Sequence, residues 1–220
     1  MYKDFAYYYD QLNDFNYDLL VDKMKKHLIP GRVLDLACGT GRVISLLKDD
    51  FDMIGSDLSE EMLEVARGRN YDVSLFLHDL KDDFYVENVD NIICTVDSLN
   101  YLLVKDDLLN VFKNVHKNLT DGVFIFDVHA ESKLDVMDDY LHVDLDEDVS
   151  YIWKTDVINA YLHHFLTFFV LEDDMYHRFD EEHIQRVYSE NEIEEILSEF
   201  FDFTKEYLDD RVVYICKKTT

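Results

Sequence analysis

Proline, glycine and cysteine are all scarce in this chain: 220 residues hold one proline, six glycines and three cysteines. Pro30 stands alone, and no flexible run, repeat or low-complexity segment marks a linker, so one domain over residues 1–220 is expected. Cys38, Cys94 and Cys216 are an odd number without paired spacing, which argues against a disulfide framework or a zinc site and for a reducing compartment. No apolar run approaches the ~18 residues of a membrane span, and no charged-then-apolar leader opens the sequence, so a cytoplasmic location is expected. Basic residues are scarce as well. Forty-eight Asp and Glu against 21 Lys and Arg give a formal charge of −27. That charge repels phosphate backbones and anionic bilayers, which leaves neither nucleic acid nor a membrane as an expected partner and favours cationic or neutral small molecules. Lys23, Lys25 and Lys26 cluster, but on a helix they read as a solvated face.

What is present in quantity is apolar residues, 48% of the chain, enough for an α/β domain with a substantial core. Its organising stretch is VLDLACGTGRVISLLKDDFDMIGSDLS, residues 33–59. Val33 to Ala37, interrupted only by Asp35, reads as a buried parallel strand. Gly39 and Gly41 follow where a helix should start, and Met53 to Ser56 reads as a second strand ending at Asp57. In an open parallel sheet, ligands sit beyond the carboxyl ends of the strands, where both the turn (Ala37, Cys38, Gly39, Gly41) and Asp57 would lie. A carboxylate at that second tip can accept both hydroxyls of a ribose.

Two adenosine cofactors suit such a turn. A dinucleotide needs its pyrophosphate on the helix N-terminus and a third glycine, but the third position is Ile44, and Asp35 would face two phosphate charges at short range. S-adenosylmethionine carries an ammonium and a sulfonium and no phosphate, so a buried Asp35 suits it better. Cys38 within the turn is either a small hydrophobe or a reactive thiol, and burial favours the first.

VLDLACGTGRV, then GSDLSEEMLEVAR, then LHDL resembles, in order and spacing, the first three cofactor motifs of the class I S-adenosylmethionine-dependent methyltransferases. The opening FAYYYD and the late FDEEHIQRVYSENEIEEIL further resemble a small bacterial subgroup with an added antiparallel sheet. The resemblance implies a Rossmann-like seven-stranded doubly wound sheet with a reversed final strand at its edge. It also implies methyl transfer from S-adenosylmethionine, with S-adenosylhomocysteine as product, to a small-molecule acceptor. By the same resemblance Tyr9, beside Asp10, faces the methionyl end of the cofactor. Leu58 and Met62 form an apolar wall by ribose and adenine, Asp79 accepts from the adenine amino group, and Leu80 adds backbone and apolar surface. Core packing and ordinary turn chemistry are the alternatives for these positions. At the level of function the alternatives are a non-catalytic module that only holds the cofactor or its product, and an NAD-dependent oxidoreductase.

In chain order, two amphipathic lid helices are expected within residues 1–30, the first carrying Tyr2, Phe5, Tyr9 and Leu12, the second Tyr17, Leu20, Val21, Met24 and Leu28. The cofactor core occupies 31–130, an antiparallel cap 140–190, and a closing helix and hairpin 191–220. The loop 96–101 after the fourth strand borders the crevice, so Asp97 is the catalytic candidate, orienting or deprotonating a nucleophile, with Asn100 and Tyr101 beside it in the substrate pocket. In the cap, strands are expected at 149–154, 157–162, 165–171 and 183–188. Trp153, Tyr161, Phe168, Tyr176 and Tyr188 are expected to wall the pocket, with His183 and Arg186 as donors; the alternative is a dimer surface, so a homodimer is a candidate state. His163 and His164 are adjacent on a strand, point to opposite faces and cannot chelate jointly, so no metal is expected.

Overall fold

A computed structural model describes residues 5–12 and 15–219. Two helices lead, α1 (Phe5–Leu12) and α2 (Tyr17–Met24), the second capped by Asn16, whose side chain accepts from the Leu19 amide. Tyr2, expected on the first helix, lies outside the described residues. The core follows as β1 (Arg32–Leu36), α3 (Arg42–Leu47), β2 (Asp52–Asp57), α4 (Glu60–Arg69), β3 (Ser74–Leu77), β4 (Asn91–Cys94), α5 (Lys105–Asn118) and β5 (Phe124–His129). A short 3₁₀ turn, Ser98–Tyr101, follows β4. Next come α6 (Lys133–Met137) and the strands β6 (Tyr140–Asp144), β7 (Val149–Ile158), β8 (Tyr161–Glu172) and β9 (Met175–Arg186). α7 (Glu190–Leu197), β10 (Phe201–Leu208) and β11 (Arg211–Lys218) close the chain.

The main sheet has seven strands in the order β10-β11-β5-β4-β1-β2-β3. β1 to β5 run parallel, and β11 runs antiparallel to both β5 and β10. The last strand is therefore not at the sheet edge, as the resemblance implies. Its hairpin partner β10 takes the edge, because β11 uses its second side to pair with β5. Side-chain alternation splits the core in two. Leu34, Leu36, Ile92, Phe124 and Phe126 pack on the α5 and α7 side, while Val33, Ile93, Ile125, Val213 and Ile215 pack on the α2 and α3 side. Crossover helices thus cover both faces, as a parallel sheet requires.

The antiparallel sheet, order β6-β7-β8-β9, lies over α1 and α4 through Ala6, Met62, Tyr151, Leu166, Phe168 and Val170. Its strands are longer than the sequence pattern indicates. β7 runs through Asp156, and the turn falls at Asn159, with φ of 58°, so the segment expected as a strand at 157–162 spans the hairpin bend. β9 begins at Met175 instead of His183: its outer end, Met175 to Arg178, is exposed on both faces, so no inward-outward alternation marks it.

Gly122 precedes β5 where the backbone of Asp90 passes, and a Cβ there would meet the Asp90 carbonyl oxygen at 2.1 Å. Gly122→Ala is expected to cost about 2 kcal/mol or more, because backbone rather than a side-chain tip must yield. Urea unfolding measures this directly, and an unchanged midpoint would contradict it.

Candidate functional site: a glycine cradle and a roofed chamber

Beyond the carboxyl ends of β1 and β4 lies a cavity lined by Tyr9, Tyr17, Asp35, Ala37, Cys38, Gly39, Thr40, Arg42 and Ser98, among others. The turn after β1 passes through three left-handed residues, Ala37 (φ 57°), Gly39 (φ 53°) and Gly41 (φ 73°). Each glycine has its own reason. A Cβ on Gly39 would project into open space, so that side of the turn is free for a ligand's close approach, whereas one on Gly41 would meet Asn70 Nδ2 at 2.6 Å and Ala66 Cβ at 3.1 Å. The third glycine of a dinucleotide motif is replaced by a compensation across the layer. Ile44 reaches over Gly55 of β2, where a Cβ would lie 2.6 Å from Ile44 Cδ1, so helix and sheet still pack closely.

Two carboxylates face this turn. Asp57 is half-buried and already accepts from the Gly39 amide (2.8 Å, Oδ2) and the Ser59 amide (2.9 Å, Oδ1), which leaves each oxygen with further acceptor capacity. Asp35 is 1% exposed, and its Oδ2 has no hydrogen-bond partner among the described residues. Burial, with Asp57 adding like-charge repulsion, pushes the Asp35 carboxyl well above the usual carboxylate range. An orphaned acidic oxygen in a cavity suits a cationic ligand group and disfavours a pyrophosphate. Burial likewise pushes the Cys38 thiol up, so it behaves as a small hydrophobe rather than a reactive thiolate. Thr40, Asp10 and Arg69 brace the cradle from behind: Thr40 Oγ1 donates to Asp10 at 2.8 Å, and Arg69 pairs with Asp10 and donates to the Thr40 carbonyl at 2.7 Å.

A second cavity of about 140 Å³ adjoins the first, and Tyr9 lines both. Asp97, Tyr101, His129, Lys133, Trp153, His164, His183, Gln185 and Arg211 contribute to its wall. Asp97 sits here as expected, but its setting argues against proton abstraction. Burial alone would raise its pKa, yet the Arg211 guanidinium and the hydrogen bond from Gln185 hold the carboxyl down to about 2. Arg211, 10% exposed in its side chain, bridges Asp97 and the fully buried Asp127 (2.8 Å to Oδ2). Asp127 in turn accepts from the Val96 and Asp97 amides at 2.6 and 3.1 Å, holding both residues at positive φ. A β-branched residue in that region is strained, and the buried carboxylate is what retains it there. Burial leaves His164 and His183 uncharged at neutral pH, His164 with a pKa down to about 4.

Several expected site residues lie elsewhere. Asn100 is buried but does not line the chamber: the 3₁₀ turn points it inward, where Nδ2 donates to the Arg186 carbonyl (2.7 Å) and Oδ1 accepts from the His129 amide (3.1 Å). Arg186 is not in the pocket either. Alternation along β9 puts His183 and Gln185 on the inner face and turns Arg186 out, to pair with Glu192 at 2.7 Å and stack over Tyr188 at 4.3 Å. Of the five cap aromatics named above, Trp153 lines the chamber. Phe168 and Tyr188 are buried in the core, Tyr161 donates to the Leu103 carbonyl at 3.4 Å, and Tyr176 is exposed on the outer half of the cap. Leu58 is exposed beside Asp57, Met62 is buried at the start of α4, and Leu80 is half-buried against the core. Asp79 follows β3 and accepts from the Lys81 amide at 3.0 Å. Gln185, His164 and Arg211 went unselected as site residues. Counting two residues on from His183 would have found Gln185.

Among the described residues no group of three metal-ligating side chains converges, and no helix is long and apolar enough to cross a membrane.

Comparison with known proteins agrees with this geometry. Residues 33–122 match the methyltransferase domain family. The chain is 39% identical over 208 residues to the Bacillus subtilis protein named "Putative methyltransferase YqeM", covering 90% of this chain and 84% of that one. The crystal structure of a S-adenosylmethionine-dependent methyltransferase from Clostridium acetobutylicum ATCC 824 superposes with a TM-score of 0.88 at 32% identity, covering 100% of this chain and 99% of that chain. The sugar N-methyltransferase KedS8 from Streptoalloteichus sp ATCC 53650 shares the fold, with a TM-score of 0.81 over 92% of this chain and 85% of that one at 17% identity. A Rossmann-like sheet carrying this cradle, with relatives of that likeness, makes the chain a member of the class I S-adenosylmethionine-dependent methyltransferases. S-adenosylmethionine is its cofactor.

Arg211→Met would leave Asp97 and Asp127 buried without their counter-ion, at an expected cost of about 3–5 kcal/mol. In the wild type, the stability that Asp97 contributes is present above its unfolded pKa of roughly 4 and is lost as pH falls toward 2. In the variant the Asp97 carboxyl should rise instead, so its penalty applies at high pH and is relieved on acidification. Urea midpoints of both proteins from about pH 8 to about pH 5 should therefore converge as pH falls. A gap that widens would refute the assignment.

Proposed function

We propose that this chain transfers a methyl group from S-adenosylmethionine, held in the glycine cradle, to a small-molecule acceptor held in the chamber beneath the antiparallel sheet. The observation that carries this reading is the adjacency of the two cavities across Tyr9, one with an orphaned acidic oxygen and the other lined by polar side chains. The cofactor supplies a methyl already made electrophilic by the sulfonium charge. The protein's part is then to align acceptor and methyl and to exclude water.

In this reading Asp35 takes the cofactor's ammonium, and Asp57 accepts the ribose hydroxyls while its present amide contacts fix its orientation. Leu58, Met62, Asp79 and Leu80 flank the adenine. Tyr9 stands where the methionyl end meets the acceptor, and its ring favours a nearby cation. Tyr101 and His183 contact the acceptor, and Asp97 orients polar groups around it without itself removing a proton. KedS8, named as a sugar N-methyltransferase, supports a small polar acceptor by its shared fold. A module that only held the cofactor would have no use for the second chamber.

Labelled S-adenosylmethionine incubated with the protein and a low-molecular-mass cell extract tests the reaction. A labelled small molecule is the expected product, and binding without any product would overturn the reading. By calorimetry Asp57→Ala should weaken binding of S-adenosylmethionine more than tenfold, which is about 1.4 kcal/mol. An unchanged affinity would remove Asp57 from the site. Because Asp35 is pushed up, it must shed a proton when the ammonium docks. Binding should release protons and tighten as pH rises toward the raised Asp35 pKa, and Asp35→Asn should abolish that dependence. Proton uptake on binding would contradict it.

A further inference from the structure

The hydrogen bonds in the roofed chamber determine which nitrogens of two histidines carry protons. Asp97 is ionised and can only accept, so the Gln185 amide must turn its NH₂ toward it, with Nε2 2.6 Å from Asp97 Oδ2. That leaves Gln185 Oε1, which can only accept, facing His129 Nε2 at 3.0 Å and His164 Nε2 at 3.1 Å. Both rings must donate from Nε2. For uncharged His164 this leaves a bare Nδ1, and that atom lies 3.2 Å from the Trp153 indole N–H and 3.0 Å from the Thr155 hydroxyl, two donors. The assignment is therefore consistent at both ends of His164.

For His129 the same constraint has a different result. Its Nε2 is committed to Gln185, and its Nδ1 is buried with no hydrogen-bond partner among the described residues. The ring is 4% exposed and lines the chamber. A neutral imidazole held in this tautomer offers an unshared pair on Nδ1. If that nitrogen gained a proton, Asp97 Oδ2, 3.6 Å from Nε2, would stabilise the imidazolium. The other charged groups near the ring are already matched. Arg211, its partner in the β11 register, is neutralised by Asp97 and Asp127, and Lys133 by Asp210. His164 and His183 are uncharged.

We propose that His129 Nδ1 is the proton acceptor of the reaction and that the methyl acceptor is an amine arriving as its ammonium ion. The proposal rests on the reading that this chamber holds the acceptor. An ammonium has no lone pair with which to attack, so one N–H proton passes first to His129 Nδ1. The freed pair then forms the new N–C bond as the S–C bond breaks, and the electrons of that bond stay on sulfur. The imidazolium returns its proton to solvent between turnovers. An imidazole is matched to an ammonium in proton affinity far better than to an alcohol, and the −27 formal charge draws a cation in. Gln185 acts through His129 and is a positioning residue.

Two measurements test this. In protein labelled with ¹⁵N-histidine and saturated with S-adenosylhomocysteine, long-range ¹H–¹⁵N spectra should show the ring signal that His129→Gln removes as an Nε2–H tautomer. A proton on Nδ1 of that ring would overturn the proposal whatever the activity. With labelled S-adenosylmethionine and the same low-molecular-mass extract, His129→Gln should lose about a hundredfold or more in rate near neutral pH. The deficit should shrink in alkaline buffer, where an amine sheds its proton unaided, and imidazole should restore part of the activity of His129→Ala. A loss of equal size at every pH, or an equal loss of S-adenosylmethionine affinity by calorimetry, would show the ring to be merely structural. An extract that takes no label from the wild type would instead defeat the proposed function, while the spectra would still decide the ring.

Discussion

The guanidinium of Arg211 is the point on which the site depends. It stands at the start of β11, is nearly buried, and joins Asp97 on the loop after β4 to Asp127 on β5. Three segments distant in sequence are thereby tied together at the carboxyl edge of the sheet, and Phe15 packs its ring 4.5 Å from the guanidinium on a further side. A buried arginine is costly alone, so the arrangement depends on both carboxylates being in place. The paired carboxylates then do further structural work. Asp127 retains Val96 and Asp97 in left-handed backbone that a valine otherwise avoids, and Asp97 sets the direction of Gln185. The antiparallel sheet is thereby tied to the cofactor core at Gln185, beside the bond that Asn100 donates to the Arg186 carbonyl.

The glycine turn shows what a motif does and does not state. Val33 to Asp57 was legible because a parallel strand, a left-handed turn and an amphipathic helix each leave a local trace within a few residues. The reason a third glycine is unnecessary was not legible, since the compensating Gly55 sits on the neighbouring strand and only the folded layer brings it beneath Ile44. The same limit applies to the second chamber. Asp97, Tyr101 and His183 could be placed there from strand ends and alternation. Arg211 reads as the first residue of a hairpin strand, and only β11 pairing antiparallel with β5 sets it opposite His129. Asn100 and Arg186 failed as pocket residues for a local reason: a 3₁₀ turn and a period of two, each off by one face, turn a side chain from a cavity into a brace.

Charge distribution links the two cavities. With a formal charge of −27, the protein attracts cations at long range, yet close to the chamber each fixed cation has a carboxylate partner and two of the histidines are uncharged. The chamber is polar without a strong net sign. The cradle is different: Asp35 and Asp57 face the same turn, and Asp35 resists ionisation partly because of its neighbour. A ligand bearing positive charge relieves that repulsion, whereas an uncharged one does not.

The same asymmetry has a consequence for turnover. Methyl transfer converts a sulfonium to a neutral thioether, so one positive charge leaves the cradle side while the acceptor, or the base that took its proton, gains one on the chamber side. Before reaction the acidic field and the two carboxylates favour the charged donor over its product; afterwards the part of that attraction due to the sulfonium is gone. On the proposed reading the ammonium that Asp35 holds is common to donor and product and so discriminates little between them. On that reading, selectivity for the methylated form must come from the groups closest to sulfur, and Tyr9, which lines both cavities, would sense that charge through its ring.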